Sequence, residues 1–387
     1  MRKDPVDVNI PELKEILENY LDADATINYA IKIVGHPGIG KSDIVRQTAK
    51  KKNFLFIDTR LAFKENIDLG GYPVPDHDAQ KMIYYRPGFI PPDQVPEGHD
   101  GILWFLDEAN RAHPTVIQTL FQIITEKICG EHQLADRTFI VLAGNLGETD
   151  GTTITRFDDA ALDGRLAVFH LKPDAENWLR WAHREKIHPS IMRYISQYPE
   201  RLWNEVHIHP NPRGWHQVSQ ALKLSYDIYT HDELAAFLSS TASASLEKMI
   251  SALIGRVASD DFVLQLTTPR QLTTKAILDG DAAKLEEVKK GLIGPEDILW
   301  ALSGALETVR HMRIASGSQL NRADLETLAN TMAFVGLLRA DMRLSFVYLL
   351  IKQCAVFTQM PAALRLLDDR DLAARIERQV LEMLETE

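Results

Sequence analysis

At 387 residues the chain is too long for one ordinary core and predicts two or three domains. Apolar residues make up 45 % and charged residues 25 %, the balance of a soluble globular protein, and a net charge of −11 excludes a surface that binds nucleic acid over its whole extent while allowing a local basic pore. Two cysteines, Cys129 and Cys354, stand far apart without a metal-binding spacing, which excludes a disulfide framework and points to a reducing compartment.

Met1-Arg2-Lys3-Asp4-Pro5 lacks the apolar core of a signal peptide, so the expected location is cytoplasmic. From Asn9 to Asp22, Leu13, Ile16, Leu17, Tyr20 and Leu21 recur at helical spacing, with Asn9 as the cap and Pro11 near the first turn. Tyr29–Val34 reads as a strand. It runs into Gly35-His36-Pro37-Gly38-Ile39-Gly40-Lys41-Ser42, which fits G-x-x-x-x-G-K-[ST], and a helix follows from Asp43. In this context glycines let backbone N–H groups close around phosphate oxygens at a helix N-terminus. The residues Gly35, His36, Pro37, Gly38, Ile39, Gly40, Lys41 and Ser42 are therefore the candidate nucleotide cradle. Lys41 would reach the β/γ-phosphates and Ser42 would hold Mg²⁺.

Further strands are expected at Phe54–Thr59, Ile102–Leu106, Arg137–Ala143 and Leu166–Leu171. Helical patterns separate them, as between Pro114 and Ile128, where Ile117, Leu120, Phe121 and Ile124 share a face. This alternation predicts an α/β fold with a parallel, doubly wound sheet. The prolines and glycines between Lys64 and Asp100 rule out one straight helix there and predict a hairpin or extended insertion. Beyond Asp174 only helical patterns remain. The expected organisation is an α/β nucleotide-binding domain over 1–172, a helical lid over 173–265 and a further helical region over 266–387. The apolar stretch from Phe346 to Phe357, broken by Lys352 and Gln353, is too short to cross a bilayer and reads as a buried helix.

Several residues carry chemistry. Ile102–Leu106 ends in Asp107 and Glu108, a Walker B arrangement. Asp107 would hold the Mg²⁺ shell through water, and Glu108 would orient and polarise the attacking water. Asn145, at the end of the 137–143 strand, could hydrogen-bond the same water or the γ-phosphate. Arg165 precedes the last strand and lies on the rim of the sheet, placed to reach a neighbouring subunit's γ-phosphate, with Arg156 as a competitor for that role. Asn211-Pro212-Arg213 opens a helix, with Asn211 as the cap and Arg213 placed to touch phosphate from the lid side. His207-Ile208-His209 would put two imidazoles on one strand face without a third ligand, so no metal site is expected there. Trp178 and Trp181 read as core packing.

Together these segments resemble the MoxR branch of the AAA+ ATPases over roughly residues 25–225. The resemblance rests on GHPGIGKS from Gly35, IDLGGYPVPD from Ile67, ILWFLDEANRA from Ile102, CGEHQL from Cys129, VLAGN from Val141, LDGRL from Leu162 and NPRGW from Asn211. It implies an AAA+ P-loop core with a helical lid, Asn145 as sensor 1, Arg165 as the arginine finger and Arg213 as sensor 2. Residues 64–100 correspond to the family's helix-2 insertion, and Ala135-Asp136 falls near its pre-sensor hairpin. The resemblance further implies ATP and Mg²⁺ as cofactors, a homo-oligomeric ring, commonly a hexamer, with ATP between subunits, and a remodelling chaperone acting on a protein client, often with a von Willebrand factor A domain partner. Two other functions fit the phosphate motifs. A nucleic-acid motor or restriction- or replication-associated translocase is disfavoured by the acidity and the absence of a nucleic-acid motif. A nucleotide-dependent assembly scaffold is disfavoured by the Asp107-Glu108 pair.

Overall fold

The computed structural model describes residues 4–147, 162, 164–204, 207–316, 319–338, 340–352, 354–367 and 370–385. The chain forms two units: Met1–Ile187, Tyr198–Ile228 and Thr241–Asp261 make the first, and His188–Gln197, Tyr229–Ser240 and Phe262–Glu387 the second.

The first unit is built on a six-stranded sheet. Its strands are β1 (Val6–Val8), β2 (Ala30–Val34), β3 (Phe54–Arg60), β6 (Gly101–Asp107), β9 (Thr138–Gly144) and β10 (Leu166–Leu171), in the order β1-β10-β2-β9-β6-β3, with every neighbouring pair parallel. The inner strands are near-continuous apolar runs, as a sheet covered on both faces requires. Side chains alternate between two cores. Leu103, Phe105, Val141 and Ala143 pack with Ile31 and Ile33 on one face, and Trp104, Leu106, Ile140 and Leu142 on the other. The first face is covered by α1 (Ile10–Leu21) and α2 (Lys41–Lys51), the second by α4 (Pro114–Glu126). Each fully buried Leu or Phe contributes about 2 kcal/mol of transfer free energy. A reciprocal cap fixes the start of α1: Asn9 Oδ1 accepts from Glu12 N at 3.0 Å, and Glu12 Oε2 accepts from Asn9 N at 2.8 Å.

Residues 64–100 carry a short helix, α3 (Asn66–Gly70), and a hairpin of β4 (Tyr72–Asp76) and β5 (Lys81–Tyr85) that leaves Tyr72, Met82 and Tyr85 exposed. A second hairpin, β7 (Ile128–Cys129) with β8 (His132–Gln133), packs against the base of this insertion, where Cys129 Sγ lies 3.3 Å from Leu69 O. Beyond the sheet the first unit adds α5 (Ala175–Arg184), α7 (Pro212–Gln220) and α9 (Ser243–Ile254). Sheet and P-loop together are the α/β fold of the P-loop nucleoside triphosphatases, with a helical C-terminal region.

Three details differ from the sequence reading. β1 carries no strand signal in the sequence, because three residues are too short for a pattern. Residues 207–209 bend into the cis His209–Pro210 peptide and are not a strand, so the two imidazoles share no strand face. The apolar stretch from Phe346 is not one helix, because the helix that contains its start ends at Lys352.

The second unit contains α6 (Pro189–Gln197), α8 (His231–Leu238), the second half of α10 (Arg256–Thr267), α11 (Thr274–Leu278), α12 (Ala282–Lys289), α13 (Pro295–Ser316), α14 (Arg322–Gly336), α15 (Ala340–Lys352), α16 (Met360–Leu364) and α17 (Arg370–Glu385). Its core gathers Leu302, Ala305, Phe334, Val347 and Ile376. Among the described residues no single helix is long and apolar enough to cross a membrane. A basic cluster surrounds the buried Trp300. Arg193 Cζ lies 5.3 Å and Arg270 Cζ 4.9 Å from its ring centroid, and the His231 ring stands 5.8 Å away. Arg270 pairs with Asp297 at 3.2 Å, while Asp232 and Glu307 offset the charge of Arg193. Burial, with the charges of Arg193, His188 and Arg270, presses the His231 imidazole down from 6.5 to about 3. The folded state therefore refuses a proton that the unfolded state accepts, and stability is lost as pH falls from about 6.5 toward 3. Between pH 7 and pH 5 the loss from this group is about 2 kcal/mol. His231→Asn should flatten this acid limb in urea melts run across that range, and an unchanged slope would remove His231 as its source.

Candidate nucleotide site

Parallel pairing aligns the strand ends. Arg60 pairs with Asp107, Leu106 with Leu142, and Val34 with Gly144, so the carboxyl ends of β3, β6, β9 and β2 share one rim. The chain leaves β2 for the far edge strand β3, while β10 and β1 lie on its other side, a reversal of strand order that opens a crevice at the rim. The loop Gly35–Gly40 occupies that place and leads into α2, whose N-cap, Gly40, supplies no side-chain hydrogen bond.

Lys41 is almost fully buried. Its ammonium donates to Gly35 O at 2.7 Å, His36 O at 2.9 Å and Asn145 Oδ1 at 3.2 Å. These acceptors offset the cost of taking the charge out of water. Ser42 Oγ donates to Asp107 Oδ2 at 3.0 Å, joining positions 65 residues apart, and Asp107 Oδ1 accepts from Glu108 N at 2.8 Å. A hydroxyl beside a carboxylate is a hard-oxygen donor pair that suits Mg²⁺, which takes one or two protein oxygens and fills its octahedron with phosphate and water. Among the described residues no group of three or more His, Cys, Asp and Glu side chains gathers to hold a metal.

The strand β6 stops because Glu108 turns into the left-handed region, at φ 53° and ψ 33°. Glu108 Oε2 is buried without a hydrogen bond, and Arg111 Nη1 stands 3.5 Å from it. Arg111, beside this carboxylate, and its chain neighbour Asn110, bonded to Asn145, are site residues to which the motifs alone assign no role.

At the start of α7, Asn211 caps the helix by accepting from Gly214 N at 2.8 Å, and Arg213 N donates to Gly38 O at 3.0 Å. Arg213 is exposed beside the loop. Arg165 is not at this rim. It sits at the start of β10, where Leu166 pairs with Ala30, and β2 separates that level from Val34 by about 13 Å of strand. Its guanidinium lies over the Phe121 ring, 4.1 Å from the centroid, on α4. The structure therefore brings Lys41, Ser42, Asp107, Glu108, Asn145 and Arg213 to one edge and places Arg165 at the opposite edge. Arg156 lies outside the described residues.

No family model matches the sequence, and no curated protein matches it. Among solved structures, NtrX from Brucella abortus in complex with ADP aligns with a TM-score of 0.35 at 16 % identity over 65 % of this chain, and the match spans 59 % of the NtrX chain. A candidate ATPase from Cytophaga hutchinsonii aligns with a TM-score of 0.32 at 16 % identity, covering 66 % of this chain and 79 % of that one.

Gly38 has φ +80°, and a Cβ there would stand 2.8 Å from Asn211 Oδ1 and 3.1 Å from Arg213 Cβ. Gly38→Ala should cost about 1–3 kcal/mol through backbone strain and the lost loop–α7 contact, read as a lower midpoint of the first unfolding transition. An unchanged midpoint would show that the loop relaxes freely.

Proposed function

We propose that this chain is a Mg²⁺-dependent ATPase of the AAA+ type that works in a homo-oligomeric ring and remodels a protein client, as its MoxR-like motifs imply. The observation that carries the reading is the hydrogen-bonded set at one rim, in which Lys41 meets Asn145 and Ser42 meets Asp107 across three strands. In this mechanism the loop N–H groups and Lys41 grip the β/γ-phosphates, and Arg213 adds a cation from α7. Ser42, with Asp107 acting through water, would hold Mg²⁺, which neutralises phosphate charge. Glu108 swings from Arg111 to polarise the attacking water while Asn145 orients it. Arg165 from a neighbouring copy stabilises charge on the transferred phosphoryl group, since it cannot serve the loop of its own copy from the opposite edge of the sheet. The exposed Tyr72, Met82 and Tyr85 of the insertion suit contact with apolar client segments. The client, and a von Willebrand factor A domain partner, are part of this proposal.

Phosphate release from full-length protein tests the chemistry. Glu108→Gln should bind ATP while hydrolysing it at least about a hundredfold more slowly, and wild-type turnover would remove Glu108 from the mechanism. Arg165→Ala should lose about a thousandfold or more. Mixing Arg165→Ala with Lys41→Ala should restore part of the activity, because one variant keeps a loop and the other a finger. Two silent variants that stay silent when mixed under conditions where the wild type assembles would rule out action between copies.

A further inference from the structure

Asn110 follows the acidic pair by two residues, on a single 3₁₀ turn from Ala109 to Arg111. Its side-chain amide makes two bonds to one residue. Asn110 Nδ2 donates to Asn145 O at 2.6 Å, and Asn110 Oδ1 accepts from Asn145 N at 3.3 Å. These backbone groups of Asn145 are the pair that a neighbouring strand would engage. Among the described residues no strand does so. The β6–β9 register ends at Leu106 with Leu142, because Glu108 has already turned out of the sheet. Asn110 stands in for the missing strand. The space it occupies exists because residue 144 is glycine, since a Cβ at that position would meet Asn110 Oδ1 and Cγ at 2.7 Å.

We infer that Asn110 is a positioning residue, which locks the backbone of Asn145 so that its side chain points at the phosphate-loop lysine and, in turn, at the attacking water. The inference rests on the reading of Asn145 as a group that orients this water. The geometry gives it content: a carboxamide that binds both the N–H and the C=O of one residue fixes that residue's direction, which a single bond does not. With Asn145 Oδ1 already 3.2 Å from Lys41 Nζ, freedom at its backbone would be freedom at the reacting centre. The same 3₁₀ turn carries Arg111 and begins at Glu108, so one short segment sets both the carboxylate and the amide that face the water.

A double-mutant cycle on full-length protein tests this through phosphate release, with ATP affinity and thermal midpoint measured alongside. Asn145→Ala and Asn110→Ala should each lower kcat at least about tenfold with KM within about twofold, the pattern of lost orientation and not of lost binding. The double variant should be no slower than Asn145→Ala within about twofold, because Asn110 acts through Asn145. Asn110→Asp keeps the volume and the acceptor but turns an oxygen toward Asn145 O, and it should also lose turnover, which guards against Asn110→Ala simply failing to fold. Wild-type kcat in Asn110→Asp, or a double variant slower by the product of the single effects, would overturn the proposal while leaving the ATPase reading intact. Wild-type kcat in Asn145→Ala would overturn both the role of Asn145 and the positioning of it.

Discussion

Parallel pairing of β2, β9 and β6 is the constraint on which the site depends. Parallel strands end on one side, and their register here puts Gly35, Asn145 and Asp107 within reach of one another although the chain separates them widely. The pairing is held by two apolar cores rather than by the polar groups at the rim. The rim residues are therefore free to be polar, strained and partly buried, and the left-handed backbone of Glu108 is tolerated where a sheet interior would not tolerate it.

At that rim Lys41 and Ser42 are internally satisfied, while Glu108 Oε2 is buried without a hydrogen bond. Lys41 spends its donors on two carbonyls and an amide oxygen, and Ser42 spends its hydroxyl on Asp107. Buried charge demands such acceptors. A phosphate oxygen is a stronger acceptor for an ammonium than a neutral carbonyl, so in the proposed function a triphosphate would exchange these bonds for better ones instead of filling an unmet need. In that proposed exchange Asn145 would be released from Lys41 while Asn110 still held its backbone.

The sheet was legible in the sequence because buried parallel strands are unbroken apolar runs, and the runs ending at Val34, Leu106, Ala143 and Leu171 each proved to be a strand of it. The helix from Asn9 was legible from its cap and its spacing. The glycine-rich loop and the Asp107-Glu108 pair stood out because their signals are local. Asn110 did not, since its meaning depends on a turn at Glu108 and on space at Gly144, neither of which a motif records. The surroundings of Trp300 were equally hidden, because Arg193, His231, Arg270 and Trp300 come from separate segments that only packing brings together. β1 was too short to read, and residues 207–209 were misread because alternation over three residues cannot distinguish a strand from a bend.

The two units are interleaved along the chain. The second owns His188–Gln197 and Tyr229–Ser240, which are flanked on both sides by segments of the first. Neither unit is a contiguous module, so no single cut in the gene yields one of them whole. A fragment ending after α10 would carry α6 and α8 stripped of the core they belong to, and a fragment beginning there would lack two of its own helices. Recombination or truncation must therefore treat the chain as one inheritable piece, and ribosomal synthesis must finish α13, which carries Trp300, before Arg193 of α6 and His231 of α8 meet their partner.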